Sequence, residues 1–199
     1  MPTTQTLAAF AAAAFVLIVI PGPAVTYIVA RSVTGGARTG VVSALGVATG
    51  VSAHVIAAAA GVSALLARSA FAFSALKYIG AAYLIAIGTR KLLRPSAAHG
   101  GEAVAVAPVS LRRAYGEGIV VNVLNPKTAL FFLAFLPQFL EPDRGPVAAQ
   151  VIVLGLLFAV IGVCSDSTWA LAAGSISARL RRNRRREVAL ERGLSLIHI

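Results

Sequence analysis

Charge is scarce in this chain. Asp, Glu, Lys and Arg make up 13% of its 199 residues, hydrophobic residues 58%, and the mean hydropathy is +0.83. Soluble domains run at about 25% charged and roughly 45–50% apolar residues. Even a 150-residue domain buries only about 70% of its unfolded surface, so a soluble fold of this size has nowhere to put so much apolar area. Cysteine is limited to Cys164, which excludes an intrachain disulfide and, within an apolar run, is expected to be a small buried hydrophobe. Met1–Thr6 lacks Lys and Arg, so the basic start of a signal peptide is missing. The apolar run also resumes past Pro21-Gly22-Pro23, a length that suits a membrane span. These absences exclude a disordered tail, a disulfide-rich secreted module and a soluble enzyme. What is left is a protein whose solvent is largely lipid.

The net charge of +11 is the exception. Basic chains bind nucleic acid, but the placement of the charge argues against it here. Here Leu7–Ala30 and Val147–Ser165 carry no charge, and the basic residues gather between such stretches. No nucleic-acid partner is expected.

About 20 apolar residues carry a helix across the hydrocarbon layer. Five segments qualify: about Thr6–Val33, Gly40–Leu66, Ala70–Gly88, Gly116–Leu140 and Val147–Gly174. Lipid offers no hydrogen-bond partner, so each is predicted to be helical and the fold class all-α, a polytopic membrane protein. The connector Arg90–Arg113 holds Pro95, His99-Gly100-Gly101 and Pro108 and reads as a cytoplasmic loop, with His99 solvated. Fourteen of the eighteen Lys and Arg residues fall on one side of this layout, and three (Arg68, Lys77, Arg144) on the other. The positive-inside rule then puts the N-terminus outside and the Arg179–Arg186 tail in the cytoplasm, against anionic lipid. Glu187–Ile199 is too short to cross a bilayer.

Three features sit at membrane depth where lipid alone does not tolerate them. Pro21-Gly22-Pro23 removes backbone donors and relaxes the chain, so the first span should break and leave a half-helix from Pro23 to about Val33. Its N–H groups and positive dipole end would point into the membrane. A plain proline kink is the alternative. Asn125-Pro126-Lys127, preceded by Asn122, repeats the pattern: Asn125 suits an N-cap, Pro126 a first helical position, with a second half-helix to about Phe139. Lys127 lies eleven residues beyond Gly116, about 16 Å deep, where a lysine faces the bundle interior or snorkels. Asp166, within Ser165-Asp166-Ser167-Thr168, lies eight residues before Gly174, at about 12 Å and close to the depth of Lys127. An ion pair follows, either functional or merely holding two helices together. Gly46, Gly50 and His54 share one helix face, so the glycines allow close packing that brings the imidazole inside the bundle. The plainer reading of His54 is a buried hydrogen-bond donor; the other is a proton-responsive group beside Asp166.

Both halves open with a proline-broken helix, a short connector and a long span. Paired broken helices in inverted repeats point to a transporter's central site. Repeat one covers about 6–90, the loop 91–113, and repeat two about 114–199 with its last helix truncated; together they form one transmembrane domain. A sixth span is expected on this logic, with five present.

The blocks "PGPAVTYIVARSVTGGARTGVVSALGVATG", "LKYIGAAYLIAIGTRKL" and "NVLNPKTALFFLAFLPQF" resemble the lysine exporter (LysE/RhtB) superfamily, in its order and over nearly all of Thr6–Ala178. The matching residues are Pro21, Gly22, Pro23, Gly36, Gly46, Gly50, Tyr83, Asn125, Pro126, Lys127 and Asp166. The resemblance implies a six-helix inner-membrane exporter of amino acids or close derivatives, driven by the proton gradient. Many members carry an acidic residue after the PGP, where this chain has Ala24. The substrate-binding set is then Pro21, Gly22, Pro23, Thr26, Asn125, Pro126 and Lys127, with Asp166 and His54 coupling to protons. Tyr27 and Ser167 are further polar candidates for the pocket. Partners are a small amino-acid substrate, protons, the bilayer and, as an open option, further copies of the chain. No cofactor or metal is called for. The alternatives are a non-transporting membrane scaffold and an intramembrane enzyme; the latter lacks a His-Glu-x-x-His motif and a second membrane aspartate.

Overall fold

The first helix, α1, spans Thr4–Val19, and Thr3 caps it by accepting from the Thr6 N–H at 3.0 Å. It stops one residue short of Pro21, because a residue before proline is pushed out of the helical region. Helix α2, Pro23–Gly35, starts on Pro23, whose fixed φ fits a first helical turn. The pair bends by 54° at the break. Gly36, at φ +83°, turns the chain into α3, Ala37–Arg68; only glycine takes that conformation at no steric cost. Helix α4 covers Leu111–Val123 and α5 Pro126–Leu130, with a 45° bend between α4 and the Pro126–Phe139 stretch. The computed structural model describes residues 1–69, 71, 74, 75, 78, 79 and 109–197. The expected third span, with Lys77 and Tyr83, lies largely outside the described residues, as does most of the 91–113 connector.

The second half-helix reaches Phe139 as expected but changes pitch. After α5 it widens to a π turn at Phe131–Phe135 and tightens to a 3₁₀ turn at Leu136–Phe139. Pro137 has no N–H to give the preceding turn, which is a recognised cause of such distortion. A short 3₁₀ turn at Pro142–Arg144 leads to α6, Val147–Ile197.

Three expectations are corrected. Arg112 and Arg113 belong to α4, which starts at Leu111 under a Ser110 cap rather than at Gly116. The last helix passes straight through Gly174, and its membrane-length portion is Val147–Leu180. Gly174 marks a close approach instead: a Cβ there would stand 2.7 Å from Ala37. Cys164 is exposed, on the outer face of α6.

The described residues form helices and no strand. Among the described residues two helices are long and apolar enough to cross a membrane, or up to four spans if each bent pair counts as one. Helix α3 packs against α4 and α6, α2 against α3 and α6, and α1 against α6. Lipid is as apolar as leucine, so packing rather than burial from water holds such helices together. One interior cluster is aromatic, with Phe10, Phe131, Phe132 and Phe158 buried and the Phe131 and Phe158 rings 4.8 Å apart. The other, Ala24, Ile28, Ala44, Val47 and Ala170, is built from smaller side chains. Between them the two breaks meet.

Candidate functional site

A cavity of about 50 Å³ lies between the breaks, lined by Gly22, Ala24 and Val25 from the first, Asn122, Asn125, Lys127 and Thr128 from the second, and Asp166 from α6, with apolar residues completing the wall. The sequence placed Lys127 and Asp166 at one depth, and the fold brings them to one cavity. Asp166 is buried. A Cβ on Gly22 would stand 3.3 Å from Lys127 Cδ, so glycine lets the lysine pass against the first break. The ammonium of Lys127 donates to the carbonyl oxygen of Ile20 at 2.5 Å. That carbonyl ends α1, where helix C-termini carry unpaired acceptors and partial negative charge.

The second break has a matching arrangement. His54 Nε2 lies 2.9 Å from the carbonyl oxygen of Asn122, near the end of α4, and its ring stacks on Phe132 at 6.0 Å. Asn122, buried, donates from Nδ2 to the Val47 carbonyl of α3 at 3.0 Å, and its Oδ1 accepts from the Thr128 hydroxyl at 2.9 Å. It therefore ties both limbs of the break to α3. Asn125 caps α5 by accepting from the Lys127 N–H at 3.0 Å. That cap uses one amide of the second half-helix, whereas Gly22 at the N-cap of α2 offers no side-chain cap, and Ala24 and Val25 of α2 line the cavity.

The expected site residues thus divide. Gly22, Asn125, Lys127 and Asp166 meet at the cavity; Pro21, Pro23 and Pro126 shape its walls from exposed positions. Thr26 is exposed, and its hydroxyl donates to the Gly22 carbonyl at 3.1 Å. His54 stands off the cavity lining, on the far side of Asn122. Gly46 and Gly50 lie at the α3–α4 crossing, where a Cβ would stand 2.1 Å from the Tyr115 carbonyl oxygen and 2.8 Å from that of Ile119. Among the described residues no cluster of His, Cys, Asp and Glu is arranged to hold a metal.

Sequence reasoning missed a second polar centre. Arg31 of α2, with its side chain 9% exposed, is ion-paired to Glu117 of α4. Arg113 also bonds Glu117, at 2.8 Å. The Tyr27 hydroxyl donates to the Ala114 carbonyl at 2.7 Å, and the Arg31 guanidinium lies 5.4 Å from the Tyr27 ring centroid. The signal was available: Arg31 stands eight residues after Pro23 and Glu117 eight before Asn125, about 12 Å along each helix from its break. At the opposite end, the Thr6 hydroxyl donates to Glu141 at 2.7 Å, and Gln150, fully buried, holds both the N–H and the carbonyl of Glu141.

Two helices long and apolar enough to cross a membrane, together with two bent helix pairs that pass the same test, mark a multi-pass membrane protein. The sequence pattern of the LysE type translocator family matches residues 15–198, and the chain belongs to that family. It is 33% identical to a homoserine/homoserine lactone efflux protein of Salmonella typhimurium, over 81% of this chain and 77% of that one. To a leucine efflux protein of Enterobacter sp. it is 26% identical, over 91% and 85% of the two chains. An uncharacterized membrane protein of Pseudomonas aeruginosa shares 28% identity over 92% and 86%. No solved structure matches the chain. Family and relatives point to a transporter and not to an enzyme.

Proposed function

We propose that this translocator exports amino acids or close derivatives across a bacterial inner membrane, by alternating access and at the expense of the proton gradient. The observation that carries the reading is the shared cavity of Lys127 and Asp166, walled by both helix breaks. An ammonium group already placed against a helix end suits a substrate carboxylate, which the uncapped start of α2 also favours. Asp166 takes up and releases the proton. His54 shapes the second break through the Asn122 carbonyl, one step removed from the proton path.

Alternating access is supported by the two closures. One polar contact joins α2 to α4 through Arg31 and Glu117, and another joins α1 to Glu141, just past the second half-helix. The cavity of about 50 Å³ has room for water but not for an amino acid, so the breaks must move apart to admit a substrate. By the positive-inside bias the Arg31–Glu117 end faces the cytoplasm, with the Arg-rich tail, and the N-terminus lies outside.

The experiment is an export screen. Cells carrying the gene are challenged with toxic analogues of homoserine, threonine, leucine and lysine, against cells carrying Lys127→Met. Resistance to one analogue or more, lost in the variant at equal membrane level, supports the reading. Equal sensitivity with and without the wild-type gene overturns it in favour of a non-transporting scaffold.

A further inference from the structure

The cavity between the breaks has a charged end and an apolar end, and α6 runs along both. Phe158, Gly162 and Asp166 line it and recur every four residues, so one face of α6 presents all three. Asp166 and Phe158 are then about 12 Å apart along the helix. The facing wall is α3, whose register is set by two close approaches. Gly155 of α6 lies against Val55 and Gly174 against Ala37, with no room for a Cβ at either glycine. That register brings Asp166 level with about Ala44, Gly162 with about Ala48, and Phe158 between Val51 and Val55. Phe158 closes the apolar end, its ring 4.8 Å from that of Phe131. Lys127 stands one turn before Phe131, about 6 Å back toward the break and so on the Asp166 side. The neutral polar groups at that end are engaged. Asn122 uses both ends of its amide, on the Val47 carbonyl and the Thr128 hydroxyl, and Asn125 accepts from the Lys127 N–H. Among the described residues that line the cavity, the charged ones are Lys127 and Asp166. They match the carboxylate and the ammonium that every amino acid carries, and a third charge has no counterpart among them.

We infer that the site takes neutral amino acids with aliphatic side chains, and that Gly162 sets the length it admits. This rests on the exporter reading above and narrows it to a side-chain class. The carboxylate and ammonium lie at Lys127 and Asp166, and the side chain runs along α6 over Gly162 toward Phe158. The walls there are Ala48 and Val51 of α3 and Leu17 of α1, which offer dispersion contact but no hydrogen bond. A charged side chain would bring a net charge into the closed site and is refused, because an unpaired buried charge is far costlier than a buried methyl group. A hydroxyl enters at a penalty, since it gives up water for no partner. Gly162 differs from the other two glycines of its helix. Gly155 and Gly174 let α3 approach, whereas a Cβ at Gly162 meets nothing within 4 Å. The cavity must widen to hold an amino acid, and any side chain at position 162 would take up part of the room gained.

The test measures exchange of labelled amino acids by the purified full chain in proteoliposomes. L-Norvaline and L-homoserine form the most telling pair, because they differ only by a terminal methyl against a hydroxyl. Norvaline and leucine should exchange, homoserine roughly tenfold more slowly at the same subsaturating concentration, and lysine and glutamate not measurably. Gly162→Leu should lower leucine exchange relative to alanine exchange by roughly tenfold or more, since a single methylene in an apolar pocket already shifts selectivity by about that factor. Gly162→Ala should fall between. A purely structural role for Gly162 would lower both substrates together and leave their ratio unchanged. If Gly162→Leu fails to accumulate, Gly162→Ala and the substrate panel on the parent chain decide. Homoserine exchanging as fast as norvaline, or lysine or glutamate as fast as leucine, overturns the side-chain class. An unchanged leucine-to-alanine ratio in the glycine variants overturns the role of Gly162. Exchange of lysine or homoserine in place of leucine leaves the exporter reading standing, whereas no exchange of any amino acid by the wild-type chain removes that reading itself.

Discussion

Lys127 and Ile20 are 107 residues apart in the chain, yet the lysine ammonium donates to the Ile20 carbonyl at 2.5 Å. The contact joins the two helix breaks directly. A carbonyl at a helix end is a good acceptor for an ammonium, but a carboxylate is a better one, because its full negative charge adds a Coulomb attraction that a neutral carbonyl lacks. A substrate carboxylate in the cavity would therefore compete for Lys127 and release the end of α1. Binding and the freedom of the first break to change its bend are then linked through one hydrogen bond.

The crossing of α3 and α4 has no room for a methyl group. At Gly46 a Cβ would stand 2.1 Å from the Tyr115 carbonyl oxygen, a backbone atom that cannot swing away. Gly46→Ala should destabilise the protein by about 1–3 kcal/mol through overpacking. Gly116→Ala, on α4 where a Cβ meets nothing within 4 Å, is the control. It should be neutral or stabilising by up to about 1 kcal/mol from helix propensity. Thermal unfolding in detergent, followed by size-exclusion fluorescence, measures both; a stable Gly46→Ala protein would contradict the close crossing.

His54 and Asp166 make different demands on export. Because His54 bonds the Asn122 carbonyl and stacks on Phe132, His54→Gln, which keeps a donor, should retain most export with an unchanged pH profile. His54→Ala should lower the membrane level, since interhelical hydrogen bonds in bilayers contribute about 0.6 kcal/mol and up to about 1.7. An altered pH profile in His54→Gln would restore the imidazole to the proton path.

The break positions were legible in the sequence because their chemistry is local. Two prolines around Gly22, and Asn125 before Pro126, dictate where a helix stops and the next begins, whatever surrounds them. Lys127 and Asp166 do line one cavity, although the residue counts that matched their depths ran from Gly116 and Gly174, neither of which ends a helix. Arg31 was counted as a connector charge because hydropathy cannot tell a cytoplasmic arginine from one buried against another helix. Its partner Glu117 lies 86 positions away. Thr26 was drawn toward the cavity by its place beside the first break, but the rotation of α2 turns it outward, whereas the face that His54 shares with Gly46 and Gly50 carries it to the Asn122 carbonyl, off the cavity lining. The pitch change at Phe131–Phe139 depended on Pro137, which stood in a run otherwise read as plain helix.

Orientation has a direct check. With Cys164 replaced by Ser, Asp143→Cys in the exposed turn before α6 and Ser96→Cys in the 91–113 connector are treated with an impermeant thiol reagent in intact cells. The charge bias puts Asp143 outside and Ser96 in the cytoplasm, so only Asp143→Cys should label. Lysis should expose the other. Labelling of Ser96→Cys alone in intact cells would invert the topology and move the Arg31–Glu117 pair to the external face.

Lys127 and Asp166 decide between a structural and a working pair. If they only hold helices together, either single neutralisation leaves one uncompensated charge at membrane depth, at a cost of several kcal/mol, and removing both relieves it. Lys127→Met and Asp166→Asn alone would then reduce membrane levels, and the double variant would recover both level and export. The cavity argues otherwise, because Lys127 also engages the Ile20 carbonyl and Asp166 lies at the wall of the space between the breaks. The double variant should therefore insert at normal level and export nothing. Asp166→Asn alone should separate the two roles. With Lys127 still present to hold the carboxylate, reconstituted protein should exchange labelled for unlabelled amino acid across the vesicle membrane. It should fail to drive net export when an inward proton gradient is imposed, and its exchange rate should stay flat across the pH range in which wild-type export varies. The measurement is net flux and exchange flux, each normalised to protein inserted. Gradient-driven export by Asp166→Asn at the wild-type rate would take the proton role away from this residue.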